Sequence, residues 1–560
     1  MPPISRRTFL AASASIVIAA CSDDAKDAAD TTTTAAADTT LDTDIAPSTD
    51  APTTTGAPTT TSAPTTTALP STTNELPAVD FESDPFSLGV ASGDPDETSV
   101  VLWTRLAPDP LAGGGMPDKH VDVQWELATD EDFADVVATQ YATARADHAH
   151  SVHAVAEPGA DAGPGPFFYR FRVGDYTSAV GRTRLAPSGQ VDSANFVSAS
   201  CQDYEDGFYI AHRDIAERSP DFVVWLGDYI YEGGGEATVG EGKARTHATP
   251  EPKDLDAYRN RYALYKSDEH LQAAHAACPW FVIWDDHEVE NNYAADTPQD
   301  TAGLAGFADR RRAAYQAWWE HQPVRLDPPP ATGEYRIYRG IRWGDLIGMM
   351  LLDGRQYRTD QACNDVILST DPPCPETFDD ARTMIGGEQE QWLFDMIGTQ
   401  GTTWNVIGQQ TVMADITLNG AVLNYDQWDG YPKDRDRILQ HLADNPVPNV
   451  VVLTGDIHAA GVAVLRAGDR GTGTPVAVEF VDTSISSGAI APGGVKDLIL
   501  AFPSIVDIEL DHRGYTHHTV TPDTWTAEYR IVTDALDEAS TVTTYKTFLV
   551  DAGTVDARVI

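Results

Sequence analysis

Side chains that can bind metal ions follow several short apolar runs of this sequence. Each run, such as residues 196–200 or 222–226, ends directly before polar or ionisable groups. An aspartate at such a point is more often a helix cap or a turn former than a ligand. Several kinds of polar group would meet at one place: carboxylate, imidazole, amide, phenol and thiol. Without cations among them, the carboxylates would repel one another and the other groups would lack hydrogen-bond partners. The sequence therefore predicts a metal centre built from residues 201–204, 227–232, 285–292, 353–358 and 455–458.

The elements that must position these groups are short apolar strands that alternate with helical segments beyond Asn195. Open α/β sheets place their ligand sites at the carboxyl ends of the strands, which is where these groups stand. This alternation of short apolar strands and helices is typical of buried sheets covered by helices. Residues 189–560 are therefore predicted to form a layered α/β domain. The predicted strands are 196–200, 222–226, 280–284, 347–352, 404–407 and 450–453, and the predicted helices are 209–218, 255–264, 304–320 and 388–397.

Residues 79–188 have a different pattern from the rest of the folded chain. Short alternating or apolar runs at 99–104, 121–126 and 167–173 are separated by Gly, Pro and Asp. About a hundred residues of this kind are typical of an all-β sandwich of the immunoglobulin or fibronectin type. We therefore expect an N-terminal β domain ahead of the α/β domain.

The first 21 residues have the features of an export signal. Arg6 and Arg7 precede Phe-Leu and an apolar stretch that is too short to span a bilayer. The paired arginines resemble the signal of the twin-arginine pathway, and residues 18–21 resemble a bacterial lipobox that would leave Cys21 as a lipidated N-terminus. Plain secretion without a lipid is the alternative.

Residues 22–78 are dominated by Thr, Ala, Pro, Asp and Ser. Such a composition buries too little apolar area to offset the entropy of ordering the chain. We expect a disordered linker that holds the folded part away from a membrane or wall.

The charge balance excludes some classes of partner. The chain has 85 acidic and 38 basic residues, a formal net charge of -47. A protein of this charge does not coat itself with nucleic acid, so a stoichiometric nucleic-acid partner is not expected. If the substrate is an anion, local positive charge must come from bound cations and a few arginines.

The five cysteines have separate expected roles. Cys363 and Cys374 are close enough in sequence to close a small loop as a disulfide. Cys278 precedes an apolar run and is expected to be a buried, inert thiol. Cys201 directly follows a strand at the predicted site, although a second buried thiol is its alternative reading.

Several motifs taken together resemble those of the PhoD-like alkaline phosphatases, a branch of the calcineurin-like metallophosphoesterases. The resemblance extends from Phe86 almost to the end of the chain. Compared with ordinary members of that superfamily, Cys201 stands in place of the opening Asp-x-His, and 286–288 reads Asp-His-Glu instead of Asn-His-Glu. Both departures match the PhoD-like branch. The motifs are Ser200-Cys201, 227–232, 284–292, 353–358 and 454–458.

The resemblance implies an iron and calcium centre. Thiolate and phenolate ligands suit a ferric ion, whereas carboxylate and amide oxygens suit calcium. Asp228 would bridge the two kinds of ion. The implied ferric ligands are Cys201, Asp228, Tyr231 and His458, and the implied calcium ligands are Asp285, Asn292 and Asp456.

The resemblance also implies hydrolysis of phosphate esters by a metal-bound hydroxide. Arg355 is the expected phosphate clamp, with a structural salt bridge as its alternative. His287 is expected to assist the leaving group or to orient a ligand.

The expected substrates are small phosphate esters, including phosphodiesters and phospholipids. The protein is expected to be a monomer and to act outside the cytoplasm. The competing hypothesis is a lipid-tethered surface binding protein without activity, whose strand-end residues bind no metal.

Overall fold

The structure is a computed structural model that describes residues 81–159, 161–235, 239–240, 242–299, 303–365, 371–489 and 495–560. The predicted export signal 1–21 with Cys21 and the predicted linker 22–78 lie outside the described residues. Among the helices that are described, none is both long and apolar enough to cross a membrane.

The described chain is a mixture of many strands and fewer helices, as the sequence predicted for its α/β class. The helices are α1 Ile210–Arg218, α2 Leu255–Lys266, α3 Glu269–Ala277, α4 Phe307–His321, α5 Gly387–Met396, α6 Pro432–Asp444 and α7 Lys496–Ile499. The strands are β1 Val90–Gly93, β2 Val100–Arg105, β3 Val121–Ala128, β4 Val136–Ala144, β5 Ser151–Ala156, β6 Phe167–Val173, β7 Tyr176–Thr177, β8 Gly181–Thr183, β9 Ala194–Ala199, β10 Phe222–Trp225, β11 Pro279–Val282, β12 Arg339–Trp343, β13 Ile347–Leu351, β14 Trp404–Gly408, β15 Val450–Thr454, β16 Ala460–Ala467, β17 Thr474–Val481, β18 Ile505–Glu509, β19 Arg513–Val520, β20 Thr524–Val532, β21 Val542–Asp551 and β22 Arg558–Val559.

Within the described residues the largest sheet has ten strands, in the order β22-β21-β20-β19-β9-β10-β11-β1-β2-β5. Its centre is parallel, because β9, β10, β11 and β1 pair side by side in one direction. The strands on either side are antiparallel. The carboxyl ends of β9, β10 and β11 therefore meet at one edge of this sheet.

A second sheet of seven described strands has the order β12-β13-β14-β15-β17-β16-β18. Its central strands β13, β14, β15 and β17 are parallel. A parallel bridge between Ser200 and Ser484 links the residues that follow β9 and β17. This bridge brings the strand ends of the two sheets together.

The two sheets pack face to face through a shared hydrophobic core. Val224 of β10 and Val406 of β14 are both fully buried in that core. The next residue, Ile407, belongs to a second core with Leu393 of α5 and Ile438 of α6. Successive residues of a strand point to opposite faces, so β14 is covered by the first sheet on one face and by helices on the other. The expected layers of sheet, sheet and helix are present.

The N-terminal region is all-β, as predicted, but it is not a self-contained sandwich. A sheet of five described strands, β4-β3-β6-β7 with β8 beside β6, shares a core with β1, β2 and β5. These last three strands belong to the ten-stranded sheet, because β1 pairs with β11. All four residues of β1 are buried, so the strand needs a partner on each edge. Sequence patterns do not reveal such a distant pairing.

Candidate metal centre

The predicted ligands lie where parallel strands end. Cys201 follows β9, Asp228 follows β10, Asp285 follows β11 and Asp456 follows β15. All four are buried or nearly so. Since these strands run in one direction within each sheet, their last residues lie at one edge of each sheet, and the bridge between Ser200 and Ser484 brings the two edges together.

The backbone turns sharply at most of the predicted ligands. Non-glycine residues avoid the left-handed region because their Cβ crowds the following carbonyl, at about 1 to 2 kcal/mol per residue. Such strain persists only where the surrounding fold enforces it, and it concentrates at functional sites. The affected ligands, with φ in degrees, are Cys201 (59), Asp228 (56), Asn292 (52), Asp456 (68) and His458 (51).

The first group of ligands contains a thiol, a carboxylate, a phenol and an imidazole. Cys201 Sγ lies 3.4 Å from Asp228 Oδ2. Tyr231 Oη lies 3.1 Å from the same Oδ2 and 3.0 Å from His458 Nε2. The ligand atoms of Cys201, Asp228 and His458 all lie within 4.8 Å of one another. These four side chains could therefore surround one ion.

The electrostatics of this group are unfavourable without a cation. Burial raises the pKa of the Cys201 thiol well above its usual range, and the nearby Asp228 raises it further. Burial likewise raises the pKa of Asp228 well above its usual range. Asp228 Oδ1 is buried and has no hydrogen-bond partner among the described residues. A cation would satisfy that oxygen and favour the thiolate.

His458 is prepared to act as a ligand through its Nε2. Its Nδ1 lies 2.7 Å from the carbonyl oxygen of Gly488, to which it donates a hydrogen bond. Burial, followed by the charge of Arg513, lowers the pKa of His458 to about 3. The imidazole is therefore neutral, with its lone pair on Nε2, which faces Tyr231.

A second group consists of carboxylates. Oxygens of Asp285, Asp286 and Asp456 lie within 4.8 Å of one another, and Asp286 also belongs to a group with Asp228 and His287. Burial raises the pKa of Asp456 to about 6, and the charge of Asp286 adds to this effect. Burial raises the pKa of Asp285 as well. Hard cations such as calcium bind this kind of donor set.

Asn292 stands at the margin of the carboxylate group. Its backbone amide donates a 2.6 Å hydrogen bond to Asp286 Oδ2. Its side chain lines the same pocket as Asp286 and Asp456. The structure thus brings Asn292 to the site, where its amide oxygen could complete a calcium shell.

Arg355, the predicted phosphate clamp, lies buried among carboxylates. Its side chain is 0% exposed and does not line the pocket beside the carboxylates. Its Nε donates to Asp285, and its NH1 donates to Asp426 at 2.8 Å. NH2 lies 3.4 Å from Asp286 Oδ1. With its donors turned to carboxylates, Arg355 fits the alternative role of a buried salt bridge that offsets their charge.

His287 is held by a carboxylate at the edge of the site. Its Nδ1 lies 2.6 Å from Glu232 Oε2, and its ring stacks on Tyr231 with centroids 4.1 Å apart. Burial alone would raise the pKa of Glu232, but His287 outweighs it and brings that pKa down to about 2. Glu232 therefore stays ionised and favours the protonated imidazole.

Several functional side chains were not given a role from the sequence. Glu288 accepts hydrogen bonds from the backbone amides of Asp228 and Asp285 at 3.1 and 2.9 Å, so it fixes both ligand loops. Asp286, Glu232 and Glu288 stand inside the predicted motifs, so the sequence already indicated that they lie near the site. Asp426 had no signal, because it lies in an irregular segment outside every motif.

The remaining cysteines lie away from the metal ligands. Cys363 and Cys374 form a disulfide. Cys278 is a free, fully buried thiol that ends α3. It is not among the described groups that could hold a metal ion, in contrast to Cys201.

Comparisons with known proteins agree with this geometry. A family model described as "PhoD-like phosphatase" matches residues 196–529, and one described as "PhoD-like phosphatase, N-terminal domain" matches residues 71–187. Alkaline phosphatase D of Bacillus subtilis (strain 168) is 44% identical over 486 residues, which cover 84% of this chain and 82% of the relative. A solved structure described as "Structure of PhoD" has a TM-score of 0.82 and 42% identity, covering 86% of this chain and 93% of that chain. The chain therefore belongs to the PhoD-like phosphatases, a family of enzymes that hydrolyse phosphate esters.

Proposed function

We propose that this protein is an exported phosphoesterase that works with ferric and calcium ions. The observation that carries the proposal is the convergence of Cys201, Asp228, Tyr231 and His458 within contact distance of one another. A buried thiol, phenol and carboxylate together make a poor environment without a highly charged cation. A ferric ion satisfies all of them.

The proposed calcium sites use the carboxylate group. Asp285 and Asp456 would supply carboxylate oxygens, Asn292 would supply an amide oxygen, and Asp228 would contribute to both the ferric and the calcium sites. Asp286 joins them, because its carboxylate lies within 4.8 Å of those of Asp285 and Asp456. When bound, the cations would supply positive charge for the phosphate oxygens and lower the pKa of the attacking water.

The side chains around the ions have distinct proposed tasks. His287 donates a proton to the leaving oxygen, and Glu232 holds its ring and favours its protonated form. Arg355 keeps Asp285 and Asp426 in place and limits their repulsion. Glu288 fixes the loops that carry the ligands.

The proposed substrates are small phosphate esters, both monoesters and diesters, with phospholipids among the diesters. The relative named alkaline phosphatase D supports the phosphatase activity in general terms. We propose that the enzyme acts as a monomer outside the cytoplasm, exported by residues 1–21 and tethered through Cys21. The paired arginines and the apolar stretch support this location.

The competing hypothesis of a surface binding protein without activity has less support. It treats the strand-end residues as ordinary caps and turns. Ordinary caps do not leave Asp228 Oδ1 buried without a partner, nor do they gather a thiol, a phenol and an imidazole around it.

The proposal is tested by metal analysis, visible absorption and hydrolysis on the same preparation. Thiolate or phenolate bound to ferric iron absorbs visible light. The purified protein should contain iron and calcium, be coloured, and hydrolyse 4-nitrophenyl phosphate and bis(4-nitrophenyl) phosphate in a calcium-dependent way. A folded, colourless protein without iron would refute the proposed centre.

The two free buried cysteines provide a matched pair of variants. Cys201→Ser should lose most of the activity and the thiolate contribution to the visible band, leaving only the contribution of the Tyr231 phenolate. Cys278→Ser removes an equally buried thiol away from the ligands and should keep both. Equal behaviour of the two variants would remove Cys201 from the site.

A further inference from the structure

An apolar cavity of about 120 Å³ adjoins the carboxylate group. Asp286, Asn292 and Asp456 line it on the side of the proposed ions. Most of its remaining wall is hydrocarbon contributed by separate parts of the chain. Representative wall residues are Val412, Ile416, Val462, Phe502, Ile505 and Ile508.

The cavity is built into the fold. Ala463 of β16 lines it and belongs to the helix-side core, together with Val412 and Ala414, which also line the cavity. Ile505 and Ile508 of the neighbouring strand β18 line it too. The ladder of β16 and β18 therefore fixes one side of the cavity.

Such a space is unfavourable if nothing fills it. Atoms that line an empty cavity lose dispersion contacts, and stability falls as the cavity volume grows. Water compensates only beside the polar side chains, because a water molecule needs two to four polar partners and the rest of the wall is hydrocarbon. An apolar ligand group would restore the contacts and be removed from water.

The distribution of charge determines which ligand fits. The acidic side chains lie together on one part of the wall, where cations would reverse the local charge and attract a phosphate. The apolar part of the wall includes Ala463, Ile505 and Ile508. A suitable ligand therefore has a phosphate at one end and hydrocarbon at the other.

We propose that this cavity binds the hydrocarbon part of the substrate, and that the enzyme prefers phosphate esters of aliphatic alcohols. The inference rests on the proposed function, since it assumes that the phosphate lies at the metal centre. It adds an apolar subsite that selects among phosphate esters.

The first test uses the unchanged, metal-loaded full chain and a series of n-alkylphosphonates. These compounds are not hydrolysed, so they report binding alone as competitive inhibitors of 4-nitrophenyl phosphate hydrolysis. Each added methylene should lower the inhibition constant about fourfold, the effect expected for burying one such group, until the cavity is full. Inhibition constants that do not change with chain length would overturn the proposal.

A pair of variants on β16 locates the effect. Ala463→Leu places extra volume in the cavity and should flatten the dependence on chain length. Ala467→Leu makes the same change on the same strand outside the cavity and should leave that dependence as it was. Thermal unfolding of both variants checks that they are folded. If Ala463→Leu is folded and the dependence remains, the hydrocarbon binds elsewhere and the proposal fails.

The outcomes distinguish this inference from the proposed function. Failure to hydrolyse 4-nitrophenyl phosphate in the presence of iron and calcium would refute the phosphoesterase centre itself. Hydrolysis that is inhibited equally by short and long phosphonates would refute only the apolar subsite.

Discussion

At the scale of single residues, the pair Cys201 and Asp228 is the strongest argument that a cation binds at the candidate site. The thiol sulfur and a carboxylate oxygen lie 3.4 Å apart in a buried environment, and burial raises the pKa of both groups. A buried thiol and a buried carboxylate add less to a core than apolar side chains of the same size, so packing alone does not explain them. Beside a cation, the same two groups become strong ligands.

The dyad of His287 and Glu232 gives a prediction about the leaving group. In Glu232→Gln the imidazole loses the carboxylate that favours its protonated form. Hydrolysis of an alkyl phosphate, whose leaving oxygen needs a proton, should slow by about 10- to 100-fold. Hydrolysis of 4-nitrophenyl phosphate, whose leaving group needs little help, should slow much less. Steady-state kinetics with both esters measure the ratio, and equal losses would contradict a role in proton transfer.

Arg355 gives a prediction that separates its two possible roles. Arg355→Met leaves Asp285 without its buried arginine, while Asp426 keeps Arg358, so the free energy of unfolding should fall by about 3 to 5 kcal/mol. Added calcium should restore part of the loss, because it replaces positive charge among the same carboxylates. Thermal and urea unfolding with and without calcium measure both effects.

The control for this variant is Arg342→Met, which removes an ion pair with Asp345 in which the two side chains are 46% and 49% exposed. It should change stability little. If Arg355→Met instead kept full stability and only raised KM, Arg355 would be a phosphate clamp after all.

At the scale of elements, apolar runs predicted the strands that carry the ligands. β9, β10, β11 and β15 lie within two residues of their predicted bounds, because buried parallel strands have continuous apolar sequences. The pairing of β1 with β11 was not predictable, since it joins residues far apart in the chain. Helices α3 and α6 were also missed.

The candidate site was predictable to the extent that its residues stand in motifs. Cys201, Asp228 and His458 follow strands, and strand ends converge in a way that topology dictates. The contacts of Arg355 with Asp285 and Asp426 were not predictable, because sequence does not show which way a guanidinium turns. Asp426 was missed, since a loop residue acquires its partners only through tertiary packing.

Asp482, directly after β17, gives a prediction about the pH dependence of stability. Burial raises its pKa to about 7 in the folded protein, compared with about 3.9 for an unfolded aspartate. The folded state thus favours the protonated carboxyl, and this contribution to stability is fully present below pH 4 and is lost as the pH rises through 7.

Asp482→Asn replaces the carboxyl with a neutral group of the same shape. Its free energy of unfolding relative to the unchanged protein should rise between pH 4 and 7, by at most about 4 kcal/mol, and then stay constant. Urea unfolding of both proteins at pH 4, 6 and 8 measures the difference between their free energies of unfolding. Titration of all other groups affects both proteins equally and cancels from this difference. A difference independent of pH would show that Asp482 is ionised in the folded state.

At the scale of the whole molecule, the N-terminal strands and the catalytic sheet form one structure. Without residues 81–188, β11 would lose its partner β1 and expose an apolar edge. Exposed edges of this kind pair with other chains. A chain that begins at residue 189 should therefore be poorly soluble or aggregate, as measured by size-exclusion chromatography. A soluble, monomeric and active fragment would contradict this view of the sheet.

Anomalous X-ray diffraction at the iron absorption edge tests whether ions hold these distant side chains together. We expect a single strong iron peak within bonding distance of Cys201 Sγ, Tyr231 Oη, His458 Nε2 and an oxygen of Asp228. An iron peak elsewhere, or purified active enzyme with no iron peak at these atoms, would contradict it.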